Sequence, residues 1–238
     1  MLHGIDISNW QKGLRVPDVD FCICKATEGT RYVDPCCDGF VQQCVKRNIA
    51  FGFYHFAAGA AEPESEALHF QNNTKGYELI GVPVLDMEFT RHDQWGAWAQ
   101  RFVDKYHAAT GVYPLIYTSA AYLGRFSGYP LTQTCGLWIA GYPSSRELEV
   151  CSDPGKLPYA TAPWKFAAIW QYSASGICDG WDDHIDLDVA YMSRDAWALY
   201  ANPDQAIEHT QQMPTVEQQQ GRDYHVDLGP MTIDVHIK

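Results

Sequence analysis

Eight short apolar segments constrain the fold of this 238-residue chain more than any other feature. Each has the length of a strand and is rich in branched or aromatic residues, as buried strands are. Helical patterns or loops separate them, and a chain of this length fits one large domain, so the alternation favours an α/β fold, a (β/α) barrel. The segments cover residues 2–7, 21–26, 50–56, 82–88, 114–118, 136–141, 166–172 and 184–189.

Helical patterns fill the connections of the first half. The first helix is predicted to begin with Asp34 as its cap and Pro35 in its first turn. A second is predicted over about 63–72, and a third from Asp93 to Gly111. The third places an aromatic core stripe at helical spacing, consisting of Trp95, Trp98, Phe102 and Tyr106.

The second half of the chain has weaker helical patterns. The connections at 119–135 and 142–165 are rich in Gly, Pro and Ser, so we expect missing or degraded helices there. From about residue 202 the chain becomes polar and Gln-rich, with one strand-like alternation near its end. We therefore predict a domain over 1–201 and a linker or tail over 202–238, which either starts a further module or adds a strand to the main domain.

Two carboxylates occur in the fourth apolar segment, Val84-Leu85-Asp86-Met87-Glu88. On a strand, Asp86 and Glu88 share one face, with their Cα atoms about 6.6–6.8 Å apart. Two acids that close do not both ionise readily, so one pKa is expected to rise while the other stays low. Hydrolysis of a sugar acetal needs such a protonated acid and such a carboxylate. The alternative is a solvated pair at the rim of an edge strand.

Other polar and aromatic residues occupy the ends of the predicted strands, where barrel enzymes form their active sites. The acids among them are Asp6, Glu28, Asp186 and Asp188, and the remaining candidates are Tyr54, Tyr117, Trp138 and Gln171. We expect these side chains to converge on one rim with Asp86 and Glu88. We exclude His55, because a histidine on a buried strand is more often a hydrogen-bonded core residue.

Charge and composition exclude several functions. The net charge is −12, from 17 basic and 29 acidic residues without a Lys/Arg cluster, which excludes nucleic acid as a partner. No run approaches the roughly 20 apolar residues of a membrane span. The N-terminus shows no secretory signal, so we expect synthesis in a cytosol unless a signal was removed. The eight cysteines form no zinc signature, and free buried thiols are favoured over disulfides or a metal site.

The chain resembles the family 25 glycoside hydrolases, the Chalaropsis-type lysozymes, over roughly residues 3–200. The similarity rests on an ordered set of short segments, each weak alone. They are Gly4-Ile5-Asp6-Ile7-Ser8, Lys25-Ala26-Thr27-Glu28-Gly29 with Tyr32 and Asp34-Pro35, Gly52-Phe53-Tyr54-His55-Phe56, Leu85-Asp86-Met87-Glu88, Ile116-Tyr117-Thr118, Leu137-Trp138-Ile139-Ala140, Trp170-Gln171-Tyr172 and Ile185-Asp186-Leu187-Asp188. The resemblance implies a flattened, irregular (β/α) barrel of about eight strands.

The resemblance also implies roles for particular residues. Glu88 resembles the general acid of the family, and its other essential acids match Asp6, Asp86 and Asp186. The residues that match its substrate groove are Tyr54, Tyr117, Trp138 and Gln171. Glu28 either binds substrate or orders its loop. Asp188 departs from the pattern, since many relatives carry Asn there, and it either raises the pKa of a neighbour or points outward.

The resemblance, together with the acids at the strand ends, implies a retaining β-1,4-N-acetylmuramidase that cuts bacterial peptidoglycan without a cofactor or metal. A monomeric phage or prophage endolysin, made in the host cytoplasm, is the expected setting, and a secreted enzyme is the alternative. The positive charge that develops at the sugar carbon of the cleaved bond is stabilised either by a protein carboxylate or, as we favour, by the substrate's own acetamido group. The alternative functions are a metal-dependent hydrolase or deacetylase on the same barrel and a catalytically silent wall-binding module.

Overall fold

The computed structural model describes residues 1–88 and 94–204, together with the backbone of 224–228 and 231–235. The main part of the chain contains ten strands, of which eight form a closed barrel and two are short additions. In chain order they are β1 (Leu2–Ile7), β2 (Phe21–Glu28), β3 (Tyr32–Val33), β4 (Ala50–Phe56), β5 (Val82–Asp86), β6 (Leu115–Ser119), β7 (Leu137–Ala140), β8 (Leu148–Glu149), β9 (Ile169–Ile177) and β10 (Ile185–Ala190).

The barrel strands follow one another in chain order around the ring. The order is β1-β2-β4-β5-β6-β7-β9-β10, and β10 pairs with β1 to close it. The short strands β3 and β8 pair with β2 and β9 outside the ring. The predicted α/β barrel of about eight strands is thereby confirmed.

One barrel strand runs against the others. All neighbouring pairs from β1 through β9 are parallel, whereas β10 is antiparallel to both β9 and β1. The prediction that Asp186 and Asp188 lie at the C-terminal end of the eighth strand is therefore wrong. Asp186 reaches the rim from the N-terminal half of β10, opposite Asp6 of β1, while Asp188 lies one step deeper, opposite Gly4.

The helices agree with the predicted asymmetry between the two halves. They are α1 (Cys37–Arg47), α2 (Pro63–Thr74), α3 (Trp95–Thr110), α4 (Leu131–Thr134) and α5 (Arg194–Ala201). The connection from β6 to β7 retains only a 3-10 helix, Ala120–Phe126, and the four-residue α4. Residues 142–165, which the structure describes in full, contain no helix, as their composition predicted, and residues 178–184 contain none either.

The helix ends match the predictions in part. α1 begins at Cys37, later than predicted, because the Asp34 carboxylate orders the preceding turn by accepting from the Cys36 amide at 2.8 Å and the Asn9 amide at 2.9 Å. α3 ends as predicted at Gly111, whose φ of 76° is in the left-handed region that favours glycine. Its predicted start, Asp93, lies outside the described residues.

His55 belongs to the core, as predicted. Its Nδ1 lies 2.8 Å from Thr27 Oγ1, and its Nε2 lies 3.1 Å from Glu66 Oε2. The Glu66 carboxylate also accepts from the amides of Ala58 and Gly59, so it fixes the loop that follows β4. Burial lowers the pKa of His55. This imidazole thus joins β2, β4 and α2 and does not reach the rim.

The aromatic stripe of α3 packs against α2 and β4. Phe102 is fully buried and lies at 5.2 Å from His55 and 5.7 Å from Trp98, measured between ring centroids. We expect Phe102→Ala to reduce the free energy of unfolding by about 3–5 kcal/mol, because it removes this contact area and leaves a cavity. Urea unfolding measures the change, with the exposed Val45→Ala as control. A loss below about 1 kcal/mol would contradict this packing.

All eight cysteines are free thiols, as predicted. Five of them are buried, but Cys36 and Cys178 are partly exposed and Cys151 is exposed, so the prediction of burial holds only in part. Cys22 and Cys24 lie with their sulfur atoms 3.7 Å apart. These thiols pack as small apolar side chains in the interface between β2 and α1.

Near the C-terminus the backbone forms an antiparallel hairpin of β11 (Tyr224–Leu228) and β12 (Met231–Val235). The sequence predicted one strand here, and the structure adds a second beside it. The division into a domain over 1–201 and a tail over 202–238 stays a prediction.

Candidate active site

One cavity collects nearly all the predicted site residues at the rim of the barrel. Its volume is about 210 Å³, and its wall consists of Asp6, Tyr54, Asp86, Glu88, Tyr117, Trp138, Tyr142, Gln171 and Asp186. A larger depression of about 320 Å³, around Asp18, Arg47, Cys151 and Arg194, contains none of the predicted residues. The smaller cavity is the candidate site, because its acids converge and its walls are aromatic.

Asp86 and Glu88 reach this cavity from the end of β5. The strand ends at Asp86 and not at Glu88 as predicted, yet Met87 remains fixed to β6. Its amide donates to Tyr117 O at 2.9 Å, and its carbonyl accepts from Thr118 Oγ1 at 2.8 Å. Both acids therefore line the cavity, with Asp86 buried and Glu88 exposed at the mouth.

Gln171 organises the opposite wall. Its side-chain oxygen accepts hydrogen bonds from Tyr117 Oη at 2.8 Å and Tyr142 Oη at 2.6 Å, and its Nε2 donates to Asp6 Oδ2 at 2.6 Å. Two hydroxyl donors on the oxygen fix the orientation of the amide. The Asp6 carboxylate is thus held by a network that spans four strands or their extensions.

Trp138 and Asp188 form a layer below that network. Trp138 Nε1 donates to Asp188 Oδ1 at 2.8 Å, and the indole packs edge-on against Tyr117 with ring centroids 4.6 Å apart. Asp188 does not line the cavity and does not point outward, since it is fully buried. Of the two alternatives drawn from the sequence, the observed one is that Asp188 raises the pKa of a neighbour, which is Asp6.

Burial and mutual repulsion raise the pKa values of the clustered acids. Burial raises the pKa of Asp6 well above its ordinary value, and Asp188 adds to it. The pKa of Asp86 rises for the same reason, with Glu88 as the main neighbour, and the pKa of Asp186 rises to about 8. Partial desolvation also raises the pKa of Glu88, against the opposing effect of Lys25. The site therefore retains protons near neutral pH.

Lys25 is a cation that acts on two of these acids, Asp86 and Glu88. Its ammonium lies 2.6 Å from Glu28 Oε2 and over the rings of Phe56 and Tyr32, at 4.7 and 5.5 Å from their centroids. It lowers the pKa of both Asp86 and Glu88 relative to what burial alone would give. Glu28 itself does not line the cavity, and its side chain is 41% exposed. The structure therefore places Glu28 against Lys25 and apart from the other predicted site residues.

Tyr142 is the lining residue that the sequence analysis missed. It follows β7 by two residues, on the same rim as the strand-end side chains, and donates its hydroxyl to Gln171. A tyrosine just beyond a predicted strand end was the available signal.

The described residues give no support to the metal-dependent alternative. Within 1–88 and 94–204, no three His, Cys, Asp or Glu side chains are grouped so that they could hold a metal ion. In the same part of the chain, no helix is both long and apolar enough to cross a membrane.

Comparison with known proteins identifies the family. Residues 5–181 match the model of glycosyl hydrolases family 25. An N,O-diacetylmuramidase of a Chalaropsis species is 28% identical over 217 residues, which cover 81% of this chain and 98% of that protein.

Two solved structures are similar in fold as well. A bacterial lysozyme from Streptomyces coelicolor has a TM-score of 0.72 and 25% identity, over 85% of this chain and 97% of that one. A family GH25 lysozyme from Aspergillus fumigatus has a TM-score of 0.65 and 28% identity, over 84% of this chain and 98% of that one. The protein with this acid-lined barrel rim is a member of glycosyl hydrolases family 25.

Proposed function

We propose that this glycosidase is a β-1,4-N-acetylmuramidase that cleaves bacterial peptidoglycan between N-acetylmuramic acid and N-acetylglucosamine with retention. The observation that carries the proposal is the convergence of Asp6, Asp86, Glu88 and Asp186 on one small cavity with aromatic walls. The muramidase and lysozyme activities named for the similar proteins support it.

Glu88 is the proposed general acid. It is the exposed member of the cluster, at the mouth, where the glycosidic oxygen of a polymer can approach it. Its raised pKa keeps the proton that the leaving oxygen must receive. The deeper acids are less accessible to an incoming chain.

The deeper acids are proposed to stabilise the positive charge that develops at the sugar carbon. Asp86 lies two residues before Glu88, at the end of β5, so both acids reach the cavity from the same side. This position suits a carboxylate that orients and stabilises an attacking acetamido group of the substrate better than one that attacks from the opposite face. Asp186, on β10, lies across the cavity from Asp86 and supplies a further carboxyl group. Gln171 orients Asp6.

The remaining predicted residues form the proposed binding surface. Tyr54, Tyr117 and Trp138 line the cavity and present ring faces or edges to a sugar. Glu28 is proposed to act through Lys25 and not by contact with the sugar, because its partner is the ammonium at 2.6 Å.

Lys25 tests the electrostatic account of the site. We expect Lys25→Met to move both limbs of the bell-shaped pH dependence of kcat/KM to higher pH. Removing the cation raises the pKa of Asp86, so that this carboxyl protonates already at higher pH on the acid side. It also raises the pKa of Glu88, which then keeps its proton further into the alkaline range. The exposed Lys165→Met is the control, and an unmoved profile in Lys25→Met would contradict this role.

Digestion of purified peptidoglycan tests the function itself. The wild-type protein is expected to release reducing sugar and to clear the suspension, without added metal or cofactor. Binding without release of reducing ends would favour a silent wall-binding module instead.

The cell wall is the proposed place of action, since the substrate lies there. Its origin as a phage or prophage endolysin and its monomeric state stay predictions. Sedimentation equilibrium tests the second, with a single species of 26.8 kDa as the expected result.

A further inference from the structure

Asp188 is a fully buried acid that the proposed mechanism does not use. Trp138 Nε1 donates to its Oδ1 at 2.8 Å, whereas no donor among the described residues reaches its Oδ2. Asp6 lies on the neighbouring strand β1, two residues from Gly4, which pairs with Asp188, and the two carboxyl groups interact with each other. Two carboxylates accept hydrogen bonds only, so this contact requires a proton on one of them.

We propose that Asp6 and Asp188 share one proton, that it resides on Asp188 Oδ2, and that Asp188 thereby positions Asp6 by donating to it. Asp6 already accepts from Gln171 Nε2 at 2.6 Å, which favours its ionised form. Asp188 is the deeper of the two, with 0% of its surface exposed, where an ionised carboxylate is most costly. Asp188 is then a positioning residue, and Asp6 keeps one fixed orientation toward the cavity.

The surroundings of Asp188 favour the protonated form. The titratable groups that interact with it electrostatically are Asp186 on its own strand, Asp6 on β1, Tyr172 on β9, and Tyr142 beyond β7. None of these groups is a cation. Burial is the main cause that raises the pKa of Asp188, and Asp186 adds to it. The hydrogen-bonding contacts with Asp6 and Trp138 act in the opposite direction, but the pKa remains well above its ordinary value.

Proton linkage measures this directly and needs no substrate. The native state holds a proton that the unfolded chain, with an Asp pKa of about 3.9, releases. The free energy of unfolding of the wild type therefore falls as pH rises above that value. Asp188→Asn lacks this proton, so its free energy of unfolding falls less steeply, by the contribution of one proton. The ratio of the unfolding constants, wild type over D188N, should rise about tenfold per pH unit between about pH 5 and 7.

The outcomes of this experiment are distinct. A ratio that stays constant with pH would show that Asp188 is ionised in the native protein and would overturn the proposal. A D188N chain that fails to fold would also overturn it, because the Asn amide supplies the same acceptor for Trp138 and the same donor for Asp6. The exposed Asp182→Asn is the control, with a constant ratio expected.

Activity adds a second readout, which rests on the proposed muramidase function. D188N is expected to keep kcat within about tenfold of wild type near neutral pH, whereas Asp188→Leu, of similar size, loses the donor and falls well below D188N. Equal losses in both folded variants would overturn the positioning role. An inactive wild type would instead contradict the proposed function and leave the proton count to decide this inference.

An independent observation concerns Trp10, whose side chain is 84% exposed on an ordered turn. The turn follows β1, so it lies at the same end of the barrel as Asp6. Ser8 Oγ accepts from the Trp10 amide at 3.3 Å, and Asp34 Oδ2 accepts from the Asn9 amide at 2.9 Å. Asp34 Oδ2 also accepts from Tyr32 Oη at 3.5 Å, and that ring is partly exposed too.

We infer that Trp10, with Tyr32 beside it, binds a sugar ring of the same glycan strand outside the catalytic cavity. Trp10 lies four positions after Asp6, so their Cα atoms lie within about 14 Å of each other. A glycan strand that leaves the cavity is continuous with the bound sugars and passes over this rim. A large ring left in water on an ordered turn is suited to stacking against such a strand.

Binding of insoluble peptidoglycan to the Glu88→Gln variant tests this inference, which rests on the proposed substrate but not on turnover. We expect Trp10→Ala in that background to weaken cosedimentation about tenfold, the equivalent of about 1.4 kcal/mol. Phe166→Ala, an exposed ring just before β9 at the opposite end of the barrel, is the matched control. Unchanged binding in the Trp10 variant would overturn the inference, whereas no binding by the parent would contradict the proposed substrate.

Discussion

Glu88→Gln is expected to reduce kcat on peptidoglycan by about 10²–10⁴ while the fold and wall binding remain intact. The amide keeps the shape of the side chain but has no proton to give to the glycosidic oxygen. Because Glu88 is exposed at the cavity mouth, the substitution removes no packing from the core. Release of reducing ends and peptidoglycan cosedimentation, measured together, separate turnover from binding.

Glu149→Gln is the matched control for this loss. Glu149 is an exposed glutamate outside the cavity, and its amide variant should behave as wild type. Near-wild-type turnover in a folded Glu88→Gln variant would remove Glu88 as the acid. The proton donor would then have to be sought between Asp6 and Asp186, which also line the cavity.

Asp86→Asn is expected to reduce kcat by about 10²–10³ with a smaller effect on KM. Asp86 is buried at the end of β5, and its Oδ1 has no hydrogen-bond partner among the described residues. An amide there removes the negative charge that stabilises the positive charge at carbon, which is a loss specific to the transition state. Steady-state kinetics on soluble peptidoglycan fragments measure both parameters.

The stability of the Asp86 variant provides its control. Burial raises the pKa of Asp86, so the folded protein is relieved of an unfavourable charge when Asn replaces it. The variant should therefore be at least as stable as wild type above neutral pH. A variant that is both unfolded and inactive would not support the catalytic role, and wild-type kcat in a folded variant would exclude it.

The apolar pattern predicted most of the barrel because each strand is buried by its own residues. β1 and β4 have the predicted bounds, and the remaining barrel strands differ at their ends by a few residues. The aromatic stripe of α3 was equally clear, since four large rings at helical spacing are all buried when they lie on one face of a helix.

The direction of β10 could not be obtained from apolarity, because a strand buries the same residues whichever way it runs. The connection contained the missing information. β9 continues to Ile177, beyond its predicted end at 172, so only residues 178–184 link it to β10. A parallel crossover needs a dozen residues or more, which makes the antiparallel return the feasible one.

Site residues on strands were easier to predict than those that depend on a neighbour. Eight of the ten residues expected at the rim line the cavity because strand ends of a barrel meet at one rim, whereas Asp188 lies deeper and Glu28 lies outside. Glu28 differs because Lys25, three residues earlier, holds it at 2.6 Å, and Tyr142 was missed because it stands in a loop. Which partner a side chain contacts, and which loop residue reaches the cavity, are known only from the assembled structure.

The identity of the new reducing ends tests the central claim most directly. Purified peptidoglycan is digested, reduced with borohydride and hydrolysed, and the sugar alcohols are identified by mass spectrometry, with Glu88→Gln as the inactive control. A muramidase produces the alcohol of muramic acid, in an amount that rises with digestion and is absent from the control. The alcohol of glucosamine as the new product, or equal products from the Glu88→Gln variant, would contradict the proposed activity.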